Sequence, residues 1–155
     1  MKKMYLPVLL VAVVCFLSGC ASAPKLPTPT GKPDITIQSS PAAIFDALTS
    51  ALLDRGYMLR SVNEDKTIAV YSINHREMPL PGWETAPTDQ RATVNFVQTS
   101  AGVRVLGTLE YIAYPGTGHA RRVTPHYLDY DAEGWANHGL YDAFLKVKQT
   151  LEGVE

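Results

Sequence analysis

Four histidines, His75, His119, His126 and His138, are the first side chains to test for chemistry. A helical zinc pair needs ligands three or four residues apart, and no two of these histidines have that spacing. Each is expected in a loop or at a helix start, as a solvated side chain. The sequence has no Gly-x-Ser-x-Gly elbow, so Ser39, Ser40, Ser50, Ser61, Ser72 and Ser100 read as caps, turns or strand faces. A triad assembled from distant residues is the remaining route to a serine nucleophile. Tyr114-Pro115-Gly116-Thr117-Gly118-His119 has two glycines but neither the spacing nor the lysine of a phosphate loop, and reads as a turn. The acid pairs Glu64/Asp65 and Asp129/Asp131 fall in polar turns. Asp129-Tyr130-Asp131-Ala132-Glu133 shares only its alternating acids with a calcium loop. No catalytic residue, metal ligand or cofactor is therefore assigned.

The thiols are more informative. Cys15 and Cys20 are the only cysteines, and both lie near the N-terminus. Met1-Lys2-Lys3-Met4 is a short positive start. The apolar run from Tyr5 to Leu17 has 13 residues, whereas a bilayer span needs roughly 20. Its length suits the apolar region of a signal peptide. The run ends in Leu17-Ser18-Gly19-Cys20. Charge, apolar run, small pair and cysteine, in that order, resemble the lipobox of bacterial lipoproteins.

The resemblance covers residues 1–20. It implies diacylglycerol transfer to the Cys20 thiol, cleavage between Gly19 and Cys20, and acylation of the new amine. Two or more acyl chains hold a protein at a membrane where one holds it only marginally. Ala21 stands where an aspartate would favour retention in the inner membrane of enteric bacteria. An outer-membrane anchor facing the periplasm is the expectation, with the inner membrane and the cell surface as alternatives. Cleavage also discards Cys15. The mature domain then has no thiol for a disulfide, a zinc site or a nucleophile.

The formal net charge of −1 becomes −3 once residues 1–19, with Lys2 and Lys3, are removed. A mildly acidic chain gives no electrostatic reason to expect nucleic acid as a partner. Residues 20–34 are proline-rich, incompatible with a helix or a central strand, and read as a lipidated tether reaching roughly 40 Å at polyproline spacing. The domain is placed at 35–155.

Alternation in Ile35-Thr36-Ile37-Gln38 predicts a strand. Ser40 is a good N-cap and Pro41 suits the first helical position. Ile44, Leu48 and Leu52 form an apolar stripe that Gly56 terminates. Tyr57 to Val62 and Thr67 to Ile73 predict a hairpin around Asn63–Lys66. Residues 74–90, with three of their positions Pro79, Pro81 and Pro87, read as a long loop. Arg91 to Thr99 alternates with Ala92, Val94 and Phe96 on one face. Val103 to Tyr114 places Val103, Val105, Leu109 and Tyr111 on one face and Arg104, Thr108 and Glu110 on the other, with Gly107 a candidate bulge. A short strand is expected within 120–125. Leu140, Phe144, Val147 and Leu151 mark a final amphipathic helix beginning between Asp131 and Asn137.

The order β-α-β-β-β-β-α predicts an α+β domain: a curved antiparallel sheet of about five strands with both helices on one face. This order is similar to helix-grip or TBP-like folds. Such domains occur in a lipoprotein component of the outer-membrane β-barrel assembly machine. No binding residue is carried over from that similarity. Trp83 in the proline-rich loop, together with Tyr127 and Tyr130 ahead of the last helix, are candidate partner contacts, because exposed aromatics anchor interfaces. The alternative is that they cover the edge of the core. The expected function is a membrane-anchored, non-enzymatic binding or assembly-accessory module with an envelope protein as partner. The alternatives are a small periplasmic enzyme with a site built from scattered residues, and a structural spacer.

Overall fold

The computed structural model describes residues 23–79, 85–123 and 132–153. Its elements are β1 (Asp34–Ile37), α1 (Pro41–Leu53), β2 (Met58–Val62), β3 (Ile68–Pro79), β4 (Thr85–Thr99), β5 (Gly102–Ala113), β6 (Arg121–Val123) and α2 (Ala132–Glu152). The strands form one sheet in the order β1-β5-β4-β3-β2, with β6 paired to β5 beyond β1. Every pairing is antiparallel. The architecture is the α+β layer arrangement read from the sequence.

The local signals for α1 operate as expected. Ser40 Oγ accepts from the Ala43 amide at 3.2 Å, and Pro41 opens the helix. At the other end the Tyr57 amide donates to Leu52 O and the Gly56 amide to Leu53 O. That bond pair is a Schellman cap, and it places Gly56 at φ 85°, where a side chain would be strained.

Strand alternation sorts the sheet into two faces. Ile37, Ala69, Tyr71, Ala92, Val94, Phe96, Val103 and Val105 point to the helices. They bury Ile44, Phe45, Leu48 and Leu52 of α1 and Leu140, Ala143, Phe144 and Val147 of α2. Polar ties fix the helices against the strands and against each other. Arg55 Nη1 donates to Gly139 O at 2.7 Å, Lys148 Nζ donates to Thr36 O at 2.8 Å, and the Gln38 amide donates to Glu152 Oε1 at 2.6 Å.

Three expectations are corrected. Residues 74–90 are not a loop: β3 continues to Pro79 and β4 starts at Thr85, so most of the stretch is a long hairpin. Pro87 fits because the register shifts between His75 and Met78, opposite it, where no ladder donor is required. Gly107 is not a bulge, since β4 and β5 pair without interruption from Thr88↔Ala113 to Thr99↔Gly102. It is a close approach: a Cβ there would lie 2.7 Å from Leu140 Cδ2, 3.0 Å from Pro33 Cβ and 3.1 Å from Phe144 Cζ. The proline-rich segment is also packed for part of its length. Leu26 and Pro33 are buried, and the Pro33 carbonyl accepts from the Gly107 amide at 2.7 Å. The segment adheres because its apolar side chains find the same surface that receives α2.

Two substitutions test this core. Leu48 is 1% exposed at the centre of the α1 stripe. Leu48→Asp should destabilise the domain by roughly 4 kcal/mol or more, because it buries an unpaired charge. Gly107→Val should lose about 1–3 kcal/mol by overpacking against α2. Urea melts read both, and wild-type midpoints would show that these side chains do not meet a core.

Candidate functional site

The face of the sheet away from the helices carries the polar residues of the same strands. Alternation puts Val70, Ser72 and Asn74 of β3 there, beside Asp89, Arg91 and Thr93 of β4 and Thr108 and Glu110 of β5. The register lines them up in rows: Ser72 opposite Arg91 opposite Glu110, and Asn74 opposite Asp89 opposite Ile112. A groove of about 640 Å³ runs across this face, bounded at one side by Arg60 and Ser61 of β2 and at the other by the Pro115–Gly116 turn.

A bulge in β2 creates the first wall. The β2–β3 register shifts between Leu59 and Ser61, which leaves Arg60 as the extra residue. Its side chain reaches over β3. Nε donates to Ser72 Oγ at 2.5 Å and Nη2 donates to Asn74 Oδ1 at 3.0 Å. Ser72 is fully buried beneath it. Both partners are neutral, and no carboxylate of the described residues lies within ion-pair distance of Arg60.

The other charges of the groove are matched. Arg91 Nη2 stands 3.4 Å from Asp89 Oδ2, and Arg122 pairs with Glu110 from β6. Outside the groove on the same face, Arg104 clamps Asp34 in a bidentate pair, Nε donating to Oδ1 at 2.9 Å and Nη2 to Oδ2 at 2.5 Å. The hydrogen bond and charge of Asp34 hold the Arg104 pKa above its ordinary value. This pair joins β1 to β5.

A second polar chain lies on the helix side. His75 Nε2 is 3.2 Å from Gln90 Oε1, and Gln90 Nε2 donates to the Tyr57 hydroxyl at 2.6 Å. With the Gln90 amide in this orientation its oxygen accepts, and His75 Nε2 is the donor. His75 is thus a strand residue in a half-buried network, which corrects the loop reading. Burial pushes the Tyr57 phenol up to about 12, partly offset by the Arg55 charge. The groove and His75 stand on opposite faces of the sheet.

Of the other candidate positions, His119 lies in the turn after β5 and His138 in α2, where its Nε2 contacts the Pro24 carbonyl. Trp135 is 47% exposed on α2, with its ring centroid 6.2 Å from that of His138. Gly19, Cys20, Trp83, Tyr127 and Tyr130 lie outside the described residues, as do His126 and Asp129/Asp131. Among the described residues no three His, Asp or Glu side chains gather as a metal site, and no helix is long and apolar enough to cross a membrane.

The groove itself was not read from the sequence. Alternation did assign Arg104, Thr108 and Glu110 to the second face of β5, a usable signal. Asn74 and Asp89 were hidden by the loop reading of 74–90, and Arg60 by an undetected bulge. No protein-family model matches the chain, and no curated protein is significantly similar to it.

Tyr57 yields a pH prediction. Its folded pKa of about 12 exceeds the ordinary 10.0. Below pH 10 the phenol is neutral in both folded and unfolded chains, so its contribution is fully present. Above pH 10 the unfolded chain loses the proton first, and stability should fall by on the order of 2 kcal/mol by pH 12. Tyr57→Phe should make that fall shallower. Tyr71, also raised by burial, retains part of it. Chemical denaturation at stepped pH reads the slope, and identical slopes in both proteins would contradict the assignment.

Proposed function

We propose that this chain is a bacterial envelope lipoprotein, anchored through Cys20, whose domain is a non-enzymatic binding module using the open face of its sheet. The outer membrane, facing the periplasm, is the proposed location. The support for the anchor is the Lys-apolar-Leu17-Ser18-Gly19-Cys20 order. The observation that carries the binding reading is the asymmetry of the sheet. One face is occupied by two helices, while the other presents the polar groove between Arg60 and the Pro115–Gly116 turn.

The chemistry of the groove favours binding over catalysis. Ser72 Oγ accepts from a guanidinium, which would not make it a better nucleophile. His75, the histidine within these strands, lies on the far side of the sheet with Gln90 and Tyr57. Among the described residues no histidine or carboxylate hydrogen-bonds a groove hydroxyl, the arrangement by which a base activates a nucleophile.

Two experiments test the proposal. Cells fed a fatty-acid analogue should label the wild-type protein and leave Cys20→Ala unlabelled; equal labelling would refute the anchor. A photocrosslinking amino acid at Ser61, which lines the groove, should capture an envelope component in intact cells. The same probe at Gln149, exposed on α2, should not. Equal capture at both positions would remove the open face as the binding surface.

A further inference from the structure

Arg60 is held in a way that leaves one side of its guanidinium ready for a ligand. The Nε edge is committed to Ser72 Oγ and Asn74 Oδ1, at 2.5 and 3.0 Å. A guanidinium has five N–H donors in a planar fork. The two bonds spend one from Nε and one from Nη2, so the terminal Nη1/Nη2 edge keeps a parallel pair. That pair has the geometry of bidentate carboxylate recognition. The neutral partners fix the orientation of the group without neutralising it, and burial of Ser72 beneath it resists swinging away.

We propose that the groove binds the free C-terminal carboxylate of an extended peptide, held end-on by Arg60. This rests on the binding-module reading and names its ligand class. The remaining lining selects among anions. Asp89 and Glu110 lie in the same groove as Arg60 and Arg91. A phosphate-rich polymer or an anionic membrane surface would meet those carboxylates as well as the arginines. A peptide C-terminus brings a single negative charge to the groove, and the backbone N–H groups behind it can donate to the lining carboxylates Asp89 and Glu110. Val70 and Pro115 supply apolar contact for side chains, and no aromatic ring of the described lining offers the stacking platform a sugar ring would use. The volume of about 640 Å³ is within the roughly 300–1,000 Å³ common for small-ligand sites.

The test uses the full lipidated chain in detergent micelles and a pool of fluorescein-labelled random tripeptides, read by anisotropy. The free-acid pool should bind saturably, and the C-terminal amide pool at least tenfold more weakly. Arg60→Gln and Arg60→Lys should each weaken the free-acid pool tenfold or more with unchanged melting temperature, since lysine keeps the charge and loses the fork. Lys146→Gln, on α2, should bind as wild type. Unlabelled tri-alanine should displace the pool, whereas glucuronate and inorganic phosphate should not. Absence of binding, equal binding of acid and amide, or indifference to Arg60→Gln overturns the proposal. Displacement by glucuronate or phosphate at lower concentration than tri-alanine overturns it in favour of a sugar acid or a phosphate. Capture through Ser61 without tripeptide binding would sink the peptide ligand alone and leave the binding-module reading standing.

Discussion

At Gly107 the backbone of β5 comes so near α2 that no side chain fits between them. Leu140 Cδ2 and Phe144 Cζ occupy the space within about 3 Å of where a Cβ would be, and Pro33 closes the third side. This contact sets the distance between the helical layer and the sheet. Because Phe144 and Leu140 seat there, α2 can bury Ala143 and Val147 as well. The Arg55–Gly139 bond then ties the end of α1 to the same helix. Interiors are packed nearly as densely as organic crystals, so a shift of the layer at one point would open voids at the others.

The close approach also decides what the opposite face can be. Both helices lie on one side, so the other side of β3, β4 and β5 is left to polar residues. A sheet face left to water needs its charges balanced across strands, because like charges opposite one another destabilise it. Arg122–Glu110 and Arg104–Asp34 meet that need across strands, and Arg91–Asp89 adds a pair along β4. Arg60 is the departure from the pattern, oriented by Ser72 and Asn74 rather than by an acid. A cation held in place with no carboxylate of the described residues beside it is the feature of this face that charge balance alone does not explain.

The two polar systems of the domain differ in surroundings, and their chemistry follows. Tyr57, Gln90 and His75 lie on the helix side, where burial suppresses ionisation of the phenol. The groove residues face the other way, and Arg60, Ser61 and Asn74 are exposed there. The sheet between them keeps the histidine apart from the groove hydroxyls.

The sequence alone determined the elements whose signals are local. The Ser40-Pro41 cap and the Gly56 terminus bound α1, because each satisfies backbone groups within one turn of chain. Alternation on β4 and β5, and the Leu140/Phe144/Val147 stripe on α2, named the buried side chains correctly, because burial on one face imposes the period. The tertiary structure decided the rest. Prolines made 74–90 look like a loop, but a strand tolerates Pro87 where its partner's register shifts, and that shift is a property of two strands together. Gly107 looked like a bulge, because nothing local reveals that Leu140 and Phe144 of a later helix press against it. Arg60 enters the groove through a bulge that carries no residue signature, and it meets Ser72 and Asn74 only because β2 and β3 pair. Contacts between distant segments depend on register and layer distance, and neither is written in any single stretch of chain.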